Sequence, residues 1–225
     1  MRFLIILALF ISVMLAAPIT ILPVGTANII CLTFDDGPKN GPTEELLALL
    51  SSENIKATFF VNGHSIDHDP DLILRMYKEG HDLGNHTYDH INLSTLSPEQ
   101  IKDELVRNNQ CIQKITHAPV KFMRAPGGQY TPTVYSICDK LGLRVINWSL
   151  NTADYAMESP VFENGEAVFV RTADMIEHKI LSQVQPGSII LMHNGNHETI
   201  EALKVAIPKL KKLGFRFAKI SDYYK

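Results

Sequence analysis

Ile29-Ile30-Cys31-Leu32-Thr33-Phe34-Asp35-Asp36-Gly37-Pro38 is the segment around which we expect this chain to fold. Its apolar first half predicts a buried strand, and Gly37-Pro38 predicts the end of that strand. Asp35 and Asp36 therefore lie at the carboxyl end of the strand, just before a helix that opens at Thr43. Two like charges this close need compensation, which a metal ion and a cation would supply. From this segment alone, an ordinary strand-end turn is the alternative.

Strands and helices alternate over the rest of the chain. Further strands are predicted at 57–61, 81–85, 120–123, 143–148, 188–192 and 215–220. Helices are predicted at 43–50, 69–79, 98–115, 131–141, 173–181 and 198–213. This alternation predicts an α/β fold with a parallel sheet or barrel. Asn164-Gly165 lies between two apolar runs and predicts a β-hairpin inserted near 161–170.

Length and charge limit the classes of function. The chain has 225 residues, enough for one domain with a full core. Its formal net charge of −3 gives no electrostatic argument for nucleic-acid binding. Three cysteines are too few for a disulfide scaffold, although Cys111 and Cys138 lie on predicted helices and could pair.

The N-terminus is typical of an exported protein. Met1-Arg2 is followed by an almost wholly apolar run to Ala17. Cleavage could follow Ala17, where the next residue, Pro18, is unfavourable, or Ala27, where Gly25 and Ala27 are the small residues. An uncleaved membrane anchor is the alternative. We therefore expect a signal peptide or anchor over 1–27 and a folded domain over 28–225. The expected location is extracellular, periplasmic or envelope-associated, with membrane contact only through an uncleaved N-terminus.

Polar side chains collect at the carboxyl ends of the predicted strands, which share one face of a parallel barrel. His86 and His90 are spaced i and i+4, so on a helical turn they would face the same side and bind one metal. Asp36 is the natural third ligand, and two surface histidines are the alternative. Arg124 would orient a neighbouring carboxylate, and His193 follows a buried strand where it could transfer a proton. The alternatives are a surface arginine before a Pro-Gly turn for Arg124 and a structural histidine at a strand end for His193.

These motifs resemble those of the polysaccharide deacetylases of the NodB-homology type, carbohydrate esterase family 4. The resemblance covers the chain from about Ile29 to its end and rests on Thr33–Pro38, His86–His90, Arg124–Gly128 and Ile190–His193. It implies a distorted (β/α)7-type barrel. It also implies a metal-dependent hydrolase that removes N-acetyl groups from an amino-sugar polymer, such as peptidoglycan or a chitin-like oligosaccharide. An O-acetyl esterase of the xylan type and a catalytically decayed glycan-binding protein are the alternatives.

The resemblance implies a role for each site residue. Asp36, His86 and His90 would bind a divalent metal, most often zinc, with cobalt, manganese or nickel as alternatives. Asp35 would be the general base, with Arg124 as its orienting partner, and His193 would be the general acid. The backbone N–H of Gly127 would stabilise the oxyanion. Leu191 would line the acetyl-methyl pocket, and Tyr155 would contribute to substrate binding.

The chain departs from the family pattern at three positions. Asn151-Thr152-Ala153-Asp154-Tyr155 stands where the family usually has Asp-x-x-Asp-Trp. The first Asp of that motif would hold His193, so Asn151 predicts a lower His193 pKa than in typical relatives. Asn194 replaces an Asp that often follows the histidine, and Gly127 replaces a bulkier residue and would open the groove. Neither a metal ligand nor the base is lost, so we expect activity.

Overall fold

A computed structural model describes residues 17–23, 28–155, 160–163, 166–169 and 172–224. Over these residues the chain forms ten strands and seven α-helices. The strands are β1 (Ile29–Asp35), β2 (Thr58–Val61), β3 (Asp82–Asn85), β4 (Phe122–Met123), β5 (Arg144–Val145), β6 (Leu150–Asn151), β7 (Pro160–Glu163), β8 (Glu166–Phe169), β9 (Ile189–His193) and β10 (Arg216–Ala218). The helices are α1 (Pro42–Ser52), α2 (Gly63–His68), α3 (Pro70–Lys78), α4 (Pro98–Thr116), α5 (Pro132–Lys140), α6 (Ala173–Gln183) and α7 (His197–Lys212).

One parallel sheet dominates the fold. Its strand order is β5-β4-β3-β2-β1-β9-β6, and β10 also pairs with β1. The central strand β1 is in register with its neighbours, so that Asp35 lies opposite both Phe60 of β2 and His193 of β9. The sheet curls, with the helices packed against it, which confirms the predicted distorted (β/α)7-type barrel.

Both faces of β1 are buried, and each face packs into a different apolar cluster. Ile30, Leu32 and Phe34 belong to the large core between the sheet and the helices. Because successive side chains of a strand point to opposite faces, Cys31 points the other way, into a second and smaller apolar cluster with Phe60. Two-sided burial explains why this segment reads as a continuous apolar run.

The inserted hairpin is confirmed. Strands β7 and β8 pair antiparallel, with Val161 opposite Val168. The predicted turn residues Asn164 and Gly165 lie outside the described residues. Two other parts of the prediction differ from the structure. The strand expected over 143–148 is shorter and consists of β5 alone, and strand β6 and helix α2 were not predicted.

Two further predictions concern the N-terminal segment and the cysteines. The apolar run up to residue 16 lies outside the described residues, and no helix in the described part of the chain is long and apolar enough to cross a membrane. Leu22 is 3% exposed and packs into the smaller apolar cluster, so the folded unit extends upstream of Asn28. Cys111 and Cys138 are free thiols, so the pairing that the sequence left open does not form.

Candidate metal centre and active site

The parallel sheet brings the predicted site residues to one end. Several of them are the last residue of a strand or the first residue after one, so the pairing of the strands determines the distances between them. The residues are Asp35 at the end of β1, His86 after β3, Arg124 after β4, Asn151 at the end of β6 and His193 at the end of β9. The backbone N–H of Arg124 donates to the carbonyl oxygen of Asn85 at 2.9 Å, which continues the pairing of β4 with β3 up to the site.

Asp36, His86 and His90 form a group with the dimensions of a metal site. The Oδ1 atom of Asp36 lies 3.1 Å from Nε2 of His90 and 3.6 Å from Nε2 of His86. This buried oxygen has no donor in hydrogen-bonding geometry. Tetrahedral zinc, with ligand bonds of about 2.0 to 2.1 Å, separates its ligand atoms by about 3.3 Å. The donor set and its spacing therefore fit a divalent metal, and a metal would satisfy the unpaired oxygen.

The protonation states of Asp36 and His86 also suit a metal. Burial by itself would raise the pKa of Asp36, but the contact with His90 and the nearby ring of His86 outweigh it and lower the pKa to about 2. Burial lowers the pKa of His86, which keeps its imidazole neutral. The Nδ1 atom of His86 lies 2.8 Å from the carbonyl oxygen of Arg124, an acceptor, so Nδ1 carries the proton and Nε2 keeps its lone pair.

The helical turn predicted for the two histidines is wrong. Residues 86–90 form a loop, in which Thr87 and His90 have positive φ angles of 64° and 55°. Asp36 shares this left-handed conformation, with φ of 68°. Such a conformation is unfavourable for a β-branched residue such as Thr87 and is held only where surrounding contacts determine it. The loop still brings the two imidazole rings to 5.0 Å, centroid to centroid.

Helix α4 supplies the contacts that hold this loop. The Oε2 atom of Glu104 accepts hydrogen bonds from the backbone N–H groups of Tyr88 at 3.0 Å and Asp89 at 2.8 Å. The Nδ2 atom of Asn108 donates to the carbonyl oxygen of Thr87 at 2.8 Å. The loop between the two histidines is therefore fixed through its backbone by two side chains of one helix.

Sequence reasoning missed Glu104 and Asn108, although the pattern of α4 contains a signal for them. Both are buried, with 5% and 0% exposure. They lie at helical spacing on the same stripe as the buried Ile101, Leu105 and Ile112. Polar residues within an apolar stripe must find partners when buried, and here the partners are the backbone groups of the loop.

Asp35 is paired with a fully buried arginine. The Nη1 atom of Arg124 lies 2.7 Å from Oδ1 of Asp35 and 2.8 Å from Oγ1 of Thr33. The guanidinium also donates to the carbonyl oxygens of Ile146 and Asn147. Since Arg124 uses only Oδ1 of Asp35, the Oδ2 atom stays free of it and lies 3.8 Å from Nε2 of His86.

Asp154, and not Asn151, is the partner of His193. The Oδ1 atom of Asp154 lies 2.7 Å from Nδ1 of His193, and Oδ2 accepts from the His193 backbone N–H at 2.8 Å and from Oγ1 of Thr199 at 2.6 Å. Burial lowers the pKa of His193, but the hydrogen bond and charge of Asp154 outweigh it and raise the pKa above its ordinary value. His193 therefore has a negatively charged partner in Asp154, whereas the family resemblance placed the uncharged Asn151 in that position.

Asn151 has a local role in the turn that delivers Asp154. Its Oδ1 atom accepts from the backbone N–H of Ala153 at 2.7 Å, and Ala153 has a positive φ of 56°. Its Nδ2 atom lies 3.5 Å from the hydroxyl of Tyr155. The ring of Tyr155 contacts that of His193 edge-on at 5.0 Å, while the residue stays 60% exposed. Tyr155 therefore offers an aromatic surface beside the histidine.

Three further positions border the same end of the sheet. Gly127 lies in a tight turn after β4 with φ of 63°, and a β-carbon added there would meet only Cγ of Gln129, at 3.8 Å. The space beside Gly127 is therefore open. Leu191 is 3% exposed and precedes His193 by two residues on β9, on the same face of the strand. The backbone N–H of Asn194 donates to the carbonyl oxygen of Asp35 at 2.7 Å.

The chain is similar to proteins of known type over most of its length. The profile of the family described as polysaccharide deacetylase matches residues 24–146. Peptidoglycan-N-acetylmuramic acid deacetylase PdaA from Bacillus subtilis is 36% identical over 194 residues, which cover 86% of this chain and 70% of the relative.

Two solved structures share the fold. The Bc1960 peptidoglycan N-acetylglucosamine deacetylase has a TM-score of 0.83 and 28% identity, over 92% of both chains. Wild-type BA3943, a CE4 family pseudoenzyme from Bacillus anthracis, has a TM-score of 0.82 and 27% identity, over 93% of this chain and 69% of the BA3943 chain.

Proposed function

This chain belongs to the polysaccharide deacetylase family, and we propose that it removes N-acetyl groups from the amino sugars of peptidoglycan at the cell envelope. One observation carries the proposal: a possible metal site, a carboxylate held by arginine and a histidine held by aspartate meet at one end of the sheet. The same fold also occurs in a pseudoenzyme, so the residues of this site carry the argument for the reaction.

Asp36, His86 and His90 would hold the metal, for which zinc is our first choice and cobalt, manganese or nickel are alternatives. When bound, such an ion lowers the pKa of a water molecule and polarises the acetyl carbonyl. The neutral imidazole of His86 and the ionised carboxylate of Asp36 are the ligand forms that this chemistry requires.

Asp35 would accept the proton of the attacking water. Its Oδ1 atom is occupied by Arg124, whereas Oδ2 is directed towards the histidine of the metal site. Arg124 is fully buried and each of its three guanidinium nitrogens donates a hydrogen bond, so it fixes the orientation of the carboxylate. As the proton leaves, the water oxygen forms a bond to the acetyl carbon and charge develops on the carbonyl oxygen, where the Gly127 backbone N–H would stabilise it.

His193 would complete the reaction as the general acid. Hydrolysis breaks the carbon–nitrogen bond, and the leaving nitrogen needs a proton to depart as an amine. Asp154 holds Nδ1 of His193 at 2.7 Å, which leaves Nε2 as the donor to the leaving group. The products are acetate and a free amino sugar. Leu191 would receive the acetyl methyl group, and Tyr155 would pack against the sugar ring.

Peptidoglycan is our preferred substrate because relatives with that activity match most of the chain and because the N-terminus is typical of export. We propose a signal peptide or anchor in the N-terminal segment followed by one catalytic domain. Chitin-like oligosaccharides are the next choice. An O-acetyl esterase and a binding protein without activity are the alternatives that the assay below must separate.

The test is acetate release from purified peptidoglycan and from N-acetylglucosamine oligomers. Zinc-loaded wild type should release acetate, whereas Asp35→Asn and the chelated protein should not. Asp103→Asn, at an exposed acid of α4, is the matched control and should retain activity. A folded, zinc-binding wild type that releases no acetate from either polymer would overturn the proposal. Release from acetylated xylan alone would establish the esterase instead.

A further inference from the structure

Residues 19–22 form hydrogen bonds with two separate parts of the sheet. The backbone N–H of Ile19 donates to the carbonyl oxygen of Val145 at 3.0 Å, and its own carbonyl oxygen accepts from Asn147 at 2.7 Å. The N–H of Leu22 donates to the carbonyl oxygen of Gly187 at 2.9 Å. The segment therefore connects the end of β5 to the turn that precedes β9.

This connection fills a gap in the barrel. In the sheet order, β5 is the terminal strand on one side, and β6, which pairs with β9, is the terminal strand on the other. Ile19 forms a bridge with Ile146, and Ile21 forms a bridge with Ser188. The hydroxyl of Tyr224 donates to the carbonyl oxygen of Ile21 at 3.0 Å, so the other end of the chain also holds the segment.

Leu22 is the apolar anchor of the segment. It is 3% exposed, whereas the preceding Ile21 is 47% exposed. Leu22 belongs to the smaller apolar cluster, which contains Cys31 and Phe60. The Phe60 ring in turn lies 4.2 Å from the guanidinium carbon of Arg124. The segment thus contributes Leu22 to the apolar cluster whose Phe60 ring packs against Arg124 of the active site.

We propose that residues 18–23 are the closing strand of the catalytic domain and stay attached in the exported enzyme. Cleavage after Ala27, which the small residues of the sequence favour, would remove Leu22 from the core. It would also remove the hydrogen bonds that the segment makes with the end of β5 and with the turn before β9. The catalytic domain then begins at residue 18 and not at residue 28. The exported enzyme keeps the segment, either because the leader is removed upstream of it or because the chain remains anchored.

The first test reads the N-terminus directly. The full chain is expressed with its own leader in an exporting bacterial host, and the folded enzyme is analysed by intact mass and N-terminal peptide mapping. We expect a peptide that contains residues 18–23. A folded, exported enzyme that begins at Asn28 would overturn the proposal, whatever its activity on glycans.

The second test measures the anchoring role of Leu22 in the full chain. Leu22→Ala should lower Tm by roughly 4 to 20 °C, as expected for loss of a buried leucine from a chain of this size. Ile21→Ala is the matched control, because that side chain is half exposed, and should change Tm by no more than about 2 °C. If Leu22→Ala does not accumulate, Leu22→Met, which conserves volume, should restore the protein. Equal Tm values for Leu22→Ala and Ile21→Ala would contradict the proposal.

Discussion

Substituting Glu104 by alanine should weaken zinc binding although Glu104 is not itself a ligand. Its Oε2 atom accepts both the Tyr88 and the Asp89 backbone N–H, and these residues lie between His86 and His90. The loop contains left-handed residues and is therefore unfavourable without its contacts. Removing the carboxylate should let the loop relax and separate the two histidines.

The size of the effect follows from these two hydrogen bonds. A hydrogen bond to a charged group contributes about 1.5 to 3 kcal/mol. In the variant, water can reach the partly exposed N–H groups and replace part of the lost hydrogen-bond energy. We therefore expect Glu104→Ala to lower the free energy of unfolding of the metal-free protein by about 2 to 4 kcal/mol. Zinc affinity should fall about 10- to 100-fold, the usual result of removing a group that orients metal ligands.

Urea unfolding of the metal-free protein and zinc titration against a competing chelator measure these two quantities. Glu104→Gln is the informative second variant, because a single amide oxygen can still accept both N–H groups and only the charge is lost. It should recover most of the zinc affinity. Asp103→Ala, on the exposed side of the same helix, should leave zinc affinity unchanged. Zinc affinity of Glu104→Ala within twofold of wild type would refute the reasoning.

Three further predictions concern the site itself. Asp154 raises the pKa of His193 and so keeps the general acid protonated to higher pH. Asp154→Asn should therefore lower that pKa and shift the alkaline limb of the kcat–pH profile to lower pH. An unchanged alkaline limb would contradict the pairing. Arg124→Met should lower the free energy of unfolding by about 3 to 5 kcal/mol, because it leaves Asp35 buried and unpaired. In urea unfolding, the double variant with Asp35→Asn should be more stable than Arg124→Met alone. Removal of zinc by a chelator should lower Tm, and excess zinc should restore it. His90→Ala should lose this dependence, whereas a variant of the exposed His178 should keep it.

Local pattern was enough to predict most of the architecture. The apolar run that ends in Asp35 became the central strand, the Asn164-Gly165 signal predicted the hairpin, and the alternation of elements predicted the parallel sheet. These signals are strong because burial on one or both faces leaves a period in the sequence. Short strands such as β6 contain too few residues to show a period, so that strand was not predicted.

The backbone conformation and the side-chain pairs of the site were harder to predict from the sequence. The i, i+4 spacing of His86 and His90 suggested a helical turn, whereas contacts from α4 hold the loop in a different backbone conformation. The motif comparison suggested Asn151 as the partner position of His193. The turn at Ala153 instead brings in Asp154, three residues later.

The sequence by itself determined which residue types stand at the carboxyl ends of the strands, and hence the chemistry available at one end of the barrel. The family resemblance implied the contact between Arg124 and Asp35, whereas only the tertiary structure showed that His193 pairs with Asp154. Arg124 and Asp35 are 89 residues apart in the chain, and His193 and Asp154 are 39 apart. Hydrogen bonds act over about 3 Å, so these pairings depend on strand register and on turns that bring distant residues together. Neither the register nor the turns leave a periodic signal in the sequence.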